Sequence, residues 1–442
     1  MFSHFLRRSA YAVTAVELPI ILAMAPALLF PTPTRLLVLP VVPVLWLCAW
    51  YKTGRPVPAT PLNVALWVLL AMVGVSLYAT FDIRFSLGKV SGVVLGVLLF
   101  WAVVRWTRTR ERLTLALAAF LLAGGGLAII GLLGTNWFDK FPVLGAVVSR
   151  LPRAIRGVPG AEEGFHPNAV AGCLVLFIPL QLALLSGVRH AWKSVERQRR
   201  WPPRPAALVI QLLLLLLTTG TLLLTQSRGA FVGLLIAALL FLVWHGRATR
   251  ALATAVAASL VILAVMLGPE RLFDLAISGS GPGMAGNVSG RMELWSRAIY
   301  GIQDFPFTGM GMNAFRKVMP VFYPTFLTSP HFDVAHAHNH LLQAALDLGI
   351  PGLIAYAAIW LVVAALLVKV YVRAADPVHR AAAGGLGAGL IAHFFFSMTD
   401  AIPLGAKVGA LFWLVLALAV ALHRVVLSPR QTDRASAAIG SR

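Results

Sequence analysis

Hydrophobic and polar positions along the chain neither alternate residue by residue nor settle into narrow amphipathic stripes. They come as long apolar blocks separated by short breaks that carry Arg, Pro and Gly. A helix that crosses the hydrocarbon needs about 20 mostly apolar residues. Twelve blocks are read as such helices: 11–30, 36–51, 62–80, 86–104, 113–133, 167–188, 206–224, 229–246, 251–268, 350–368, 381–397 and 404–422. They are too long and too rich in Leu and Ala for barrel strands, which alternate over about 10 residues. The pattern therefore predicts an all-α integral membrane protein of about twelve transmembrane helices. Residues 1–427 form one polytopic body, and 428–442 form a polar tail expected to be disordered. Met1 to Arg8 ahead of the first block has the look of a signal peptide. That block is about twenty residues long and more follow, so it is read as the first membrane helix.

Composition agrees. Of 442 residues, 59% are hydrophobic and 12% charged, with a mean hydropathy of +0.83. A soluble domain is roughly a quarter charged, so soluble, disordered and fibrous classes are excluded. Cys48 and Cys173 both sit in apolar blocks, which argues against a disulfide framework or a cysteine metal cluster. The formal charge is +21. With the N-terminus in the cytoplasm, the cytoplasmic segments hold 23 of the 37 basic residues and four acidic ones, a net of +19. The remainder holds 14 basic and 12 acidic groups, a net of +2. This asymmetry sets both termini in the cytoplasm. The excess is spread over short loops, where it touches anionic lipid headgroups, so membrane lipids and not nucleic acid are the expected partner.

Two segments on the outer face are long, about 134–166 and 269–349, the second between helices 9 and 10. Function is sought where polar groups oppose the surrounding apolar sequence. Arg228 in Thr225-Gln-Ser-Arg-Gly-Ala230 has apolar blocks on both sides. It is either a snorkelling arginine at a helix end or part of an anion site at the start of the next helix. Lys89 lies near the outer end of the fourth block, with the same two readings. Glu17, Lys407 and Asp400 read as paired structural charges. In the longer segment, the glycine-rich stretch from Ser278 leads into Arg291-Met-Glu-Leu-Trp295, which predicts an amphipathic helix through Ile302. Pro306 to Phe315 is turn-rich, and with no preceding strand it is no nucleotide fingerprint. His336, His338 and His340 follow. His336 and His340 would share a helical face as metal ligands, Asn339 would cap a helix, or a histidine would do acid–base work. No Glu or other ligand cluster accompanies them, so no metal is assigned. Arg150, Arg153 and Arg156 recur every third residue as phosphate contacts or a solvated face, and His166-Pro-Asn168 opens the next block near the same side.

Taken in order, Thr225-Gln-Ser-Arg228-Gly-Ala, Gly290-Arg291-Met-Glu-Leu-Trp295, Pro306-Phe-Thr-Gly-Met-Gly311 and His338-Asn339-His-Leu-Leu-Gln343 up to Gly349 resemble the O-antigen ligase family. That family is also called the lipopolysaccharide ligases and is related to O-antigen polymerases and bacterial O-oligosaccharyltransferases. The motif-bearing region spans about 210–400. The resemblance implies an inner-membrane glycosyltransferase of the GT-C type. It would move O-antigen glycan from undecaprenyl diphosphate to lipid A–core oligosaccharide on the periplasmic face. It also implies that Arg228, Arg291 and His338 are the essential residues. Asp347 departs from the Glu that relatives often carry.

Elementary chemistry is compatible with this. Negative charge develops on the departing diphosphate, where Arg228 and Arg291 would neutralise it in a poorly screened setting. His338 would take the proton of the attacking hydroxyl. Attack opposite the diphosphate inverts the anomeric centre. No Asp-x-Asp pair is present, so the reaction is expected to need neither metal nor other cofactor. Lys89, Arg150, Arg153, Arg156, His166, Asn339 and His336 are the expected diphosphate and substrate contacts. A polymerase or a protein O-oligosaccharyltransferase of the same superfamily stays open. The second often carries a further C-terminal periplasmic domain, and this chain ends soon after its last block. A secondary transporter is the alternative of another class, though transporters show repeats and mid-membrane polar groups.

Overall fold

The computed structural model describes residues 14, 16–138, 142–195, 205–268, 271, 288–327 and 333–427. The start of the first block, the glycine-rich stretch from Ser278 through residue 287, and the 428–442 tail lie outside the described residues. Among the described residues the protein is all-helical, with two isolated bridges and no strands.

The helices in chain order are α1 (Glu17–Leu29), α2 (Val41–Thr53), α3 (Asn63–Ala79), α4 (Ile83–Trp106), α5 (Arg110–Gly134) and the short α6 (Pro142–Val148). Next come α7 (Pro167–Leu174), α8 (Ile178–Val195), α9 (Pro205–Thr225), α10 (Arg228–His245) and α11 (Arg247–Leu267). Then follow α12 (Val288–Asp304), α13 (Phe315–Phe322), α14 (His340–Arg373), α15 (Pro377–Ser397) and α16 (Ala410–Leu427). Among the described residues, eight helical segments are long and apolar enough to cross a membrane, and Glu17–Leu29, Asn63–Ala79 and Arg228–Val243 are shorter apolar helices. Twelve sequence blocks thus correspond to fewer segments that meet both length and hydropathy. The reason is local. The blocks at 11–30, 62–80 and 229–246 fold as shorter apolar helices, and α15 dilutes its apolar residues with Gly, Ala and His, while the sixth block still counts as one span although α7 and α8 part within it.

Exposed leucines and valines such as Leu213, Leu216 and Val265 lie on outward faces, the surface lipid would cover. Inside, small residues let backbones approach, the usual device where apolar burial against lipid gives no net drive. Gly96 of α4 receives the Trp413 ring of α16, and Gly233 of α10 meets the backbone of Ala392 in α15. Helix α4 is the most enclosed of the spans, packed on α1 and α16. Near its C-terminus Arg105 forms a buried ion pair with Glu17 at 2.8 Å and donates to Pro56 O at 2.6 Å. Glu17 is therefore paired, as the sequence reading held.

The largest departure from the sequence reading is at 340–349. Gly349 and Pro351 read as the end of a loop, yet α14 begins at His340 and runs through a break at Gly349, whose φ is +69°. A break frees backbone groups that must find partners inside a membrane protein. The 306–311 turn supplies them: Ile350 N–H donates to Pro306 O and Met310 N–H to Leu346 O, both at 2.7 Å. Gly309 (φ +69°) approaches so closely that an added Cβ would lie 2.7 Å from Gly349 N. The Pro-Phe-Thr-Gly-Met-Gly motif is thus a clasp on the broken helix.

Candidate active site

At the N-terminus of α14 the sequence dictates a cap. Asn339 Oδ1 accepts from Leu341 N and Leu342 N at 3.0 and 3.1 Å, satisfying two of the free donors of a helix start. Just before it, His338 has φ +52°, a left-handed conformation that costs a side-chain-bearing residue. Its own N–H donates to His336 Nδ1 at 3.2 Å, and the two rings lie 4.4 Å apart. His340 points away, its Nδ1 paired with the Tyr356 hydroxyl at 2.9 Å and its ring against Trp360 and Phe394. His336 precedes the helix, so the shared helical face expected for His336 and His340 does not form.

The residue that organises the site is Asp400, between α15 and α16. Its Oδ1 stands 3.4 Å from His338 Nδ1, and its Oδ2 accepts from Asn168 Nδ2 at the start of α7. His338 Nδ1 is buried while 22% of its side chain is exposed, so the open edge of the ring is the one bearing Nε2. Burial works to raise the Asp400 carboxyl. His338, Arg291 and His166 outweigh it and hold the group well below the usual carboxylate range. Burial pushes the His336 imidazole well below its ordinary value, with the His338 and Lys89 charges adding and Asp400 opposing. His336 is thereby a neutral ring at physiological pH.

Arg291, in the first turn of α12, is 5% exposed, and its Nε and Nη1 are buried with no hydrogen-bond partner among the described residues. Burial lowers its guanidinium from the ordinary value and the Asp400 carboxylate works against that fall. A guanidinium with two donors held dry within electrostatic reach of a carboxylate is suited to an oxyanion. Arg228 opens α10 directly after a tight turn in which Gln226 has φ +52°. Its neighbour Gly229 lies against Thr399, next to Asp400, so the start of α10 is brought to the same corner. Lys89 of α4 is in electrostatic reach of His336 and of the buried Asp347.

His166 is exposed as the cap of α7, with Nδ1 accepting from Asn168 N at 3.2 Å, and it reaches Asp400 electrostatically. The three-residue arginine spacing gives no common helical face. Arg150, Arg153 and Arg156 lie past α6 in irregular, exposed chain, and Arg153 donates to Trp137 O at 2.6 Å, which makes it a brace of its own loop. Lys407 likewise donates to Pro159 O and stacks over Phe30 at 4.3 Å.

His336, His338 and Asp400 each place one ligand atom within 4.8 Å of the others, the spacing from which a small cation could be gathered. The sequence reading missed this convergence because it treated Asp400 as a structural charge. Its only local signal was a carboxylate between two apolar blocks.

A separate apolar cavity of about 400 Å³ lies between α10, α14 and α15. Phe241, Trp360, Leu367 and Phe394 are among its walls, and it contains none of the charged groups above.

Residues 213–357 match the family model described as O-antigen ligase. The match makes this third of the chain similar to the O-antigen ligase family. The matched region runs from α9 into α14 and includes Arg228, Arg291, His336, His338 and Asn339. Lys89, His166, Asn168 and Asp400 lie outside it and join the O-antigen ligase region only through the fold. No curated protein matches the chain.

Proposed function

We propose that this protein is an inner-membrane glycosyltransferase that moves O-antigen glycan from undecaprenyl diphosphate to a hydroxyl of lipid A–core oligosaccharide in the periplasmic leaflet. The observation that carries the reading is the buried Arg291 guanidinium, its Nε and Nη1 without a partner among the described residues, in electrostatic reach of the carboxylate of the His338–Asp400 pair.

The mechanism follows from those groups. Asp400 holds Nδ1 of His338, which keeps the lone pair on Nε2 toward the open side. Nε2 accepts the proton of the acceptor hydroxyl as its oxygen attacks the anomeric carbon, a contribution typically of 10²–10⁴-fold. The bond to the diphosphate breaks on the opposite face, and configuration inverts. Arg291 and Arg228 meet the charge that accumulates on the leaving diphosphate, with Lys89 as a further cation at the rim. The donor carries its own leaving group, so no nucleotide is consumed. The separate apolar cavity, whose Trp360 and Phe394 rings pack on His340, offers the isoprenoid chain a place in the bilayer. Basic turns such as Arg105 to Arg112 lie at the opposite end of α4 from Lys89, which supports a site on the outer face.

The test is reconstitution. Purified protein, undecaprenyl-diphosphate glycan and lipid A–core should give the joined product without nucleotide or added metal. His338→Ala and Arg291→Ala should abolish it at unchanged thermal stability. Full activity of both variants removes the mechanism. Offering carrier-linked repeat units in place of lipid A–core separates ligase from polymerase.

A further inference from the structure

Beneath the histidine turn runs a buried polar chain that the mechanism above does not use. Asp347 Oδ1 accepts from Gln343 Nε2 at 2.8 Å and from Asn313 N at 3.2 Å. The other end of the Gln343 amide, Oε1, accepts from Ala337 N at 2.9 Å. Asn313 Nδ2 in turn donates to Phe85 O of α4 at 3.1 Å, one helical turn before Lys89. Ala337 lies between His336 and His338 and is fully buried, as are Gln343 and Asp347.

The order of donors and acceptors in this chain has a consequence. A carboxylate offers acceptors only, so Asp347 compels Gln343 to present Nε2 to it. The Gln343 oxygen is then left facing Ala337 N–H. Without the carboxylate the amide is free to turn over and present NH₂ to an N–H, two donors face to face. The turn it holds is strained: His338 at φ +52° and Asn313 at φ +68° are two of the three non-glycine residues of positive φ among the described residues. Such conformations persist only where surroundings enforce them.

We propose that Asp347 and Gln343 are positioning residues that lock the His336–His338 turn, aim His338 at the reacting hydroxyl, and tie that aim through Asn313 to the helix carrying Lys89. The inference rests on the reading of His338 as the base. It assigns a task to the carboxylate at 347, which touches neither substrate nor leaving group.

The experiment combines hydrogen–deuterium exchange with steady-state transfer on the full chain in lipid nanodiscs, comparing wild type with Gln343→Leu, Asp347→Ala and Asp347→Asn. In Gln343→Leu and Asp347→Ala, the peptide covering Val334 to Asn339 should exchange at least about tenfold faster, while peptides of α4 and α16 keep wild-type rates. The kcat should fall roughly 10²-fold, the cost of a small misplacement of a reacting group, with the donor KM unchanged. Asp347→Asn keeps an acceptor oxygen and should restore slow exchange and most of kcat. Unchanged exchange in Gln343→Leu overturns the proposal. So does faster exchange spread evenly over the protein, which would mark a merely structural role. If exchange follows the expected pattern but the wild-type chain joins no glycan, the proposed function falls and the hold of Gln343 on the turn stands.

Discussion

Asp400 Oδ1 and His338 Nδ1 meet at 3.4 Å although one precedes α16 and the other precedes α14. That contact fixes which ring nitrogen is free to act. Asp400→Asn keeps the size and the contact with Asn168 but removes the charge that favours an imidazolium on its partner. Its kcat for glycan transfer should fall by roughly 10²-fold or more, within the range of general-base effects. Measured binding of the diphosphate-linked donor should stay near wild type.

Arg291 offers a planar guanidinium with donors on separate nitrogens, two of them buried, a geometry that lysine does not reproduce. Arg291→Lys should therefore retain positive charge and still lose at least about tenfold in kcat/KM, a loss of about 1.4 kcal/mol of transition-state stabilisation. Equal kcat/KM in the two proteins would show that charge alone suffices there.

Acid should loosen the fold in two steps. The pKa of His336 lies below its ordinary 6.5 in the folded protein, so the unfolded chain takes up that proton first. Stability is then lost as pH falls below about 6.5. Asp400 is depressed as well, and its contribution disappears only as pH falls below the ordinary 3.8. Melting temperatures in detergent should drop between pH 7.5 and 5.5. His336→Asn, which keeps an acceptor for His338 N–H, should flatten that slope.

Chelation tests the absence of a metal role directly. Transfer measured after EDTA treatment should match the untreated rate. A loss restored by a divalent ion would assign His336, His338 and Asp400 to that ion and remove His338 as base.

The Glu17–Arg105 pair is buried on both sides, so truncating one partner leaves an uncompensated charge. Glu17→Ala or Arg105→Ala should each cost about 3–5 kcal/mol, and the double variant less than their sum. Thermal unfolding of the three variants reads this coupling.

Much of the helical layout was legible because apolar block length is a direct consequence of bilayer thickness. Each of the twelve blocks overlaps a helix, the sixth of them two, and Asn339 announced its cap by residue type and position. Arg228 at a helix start was legible for the same reason. Asp400 was not, because its meaning comes from a packing of α7, α12 and α14 that no local pattern encodes. Gln343 was hidden inside an apolar run as an ordinary polar residue. The early start of α14 was missed because Gly349 and Pro351 normally end helices. Here Pro306 O and Met310 N–H take up the hydrogen bonding at the break. The arginines at 150, 153 and 156 lie exposed in a segment without a helix, where their regular spacing carries no structural meaning.

Helix α4 carries Lys89 near one end and Arg105 near the other, sixteen residues or about 24 Å along its axis. With the Arg105 end bolted to α1, the height of Lys89 relative to the bilayer is set by a rigid ruler and not by the lipid. The Lys89 face should then keep its distance from the Arg105 end when the host membrane thickens, so a thicker bilayer would submerge the site, slowing access of water-soluble sugars before it disturbed the fold.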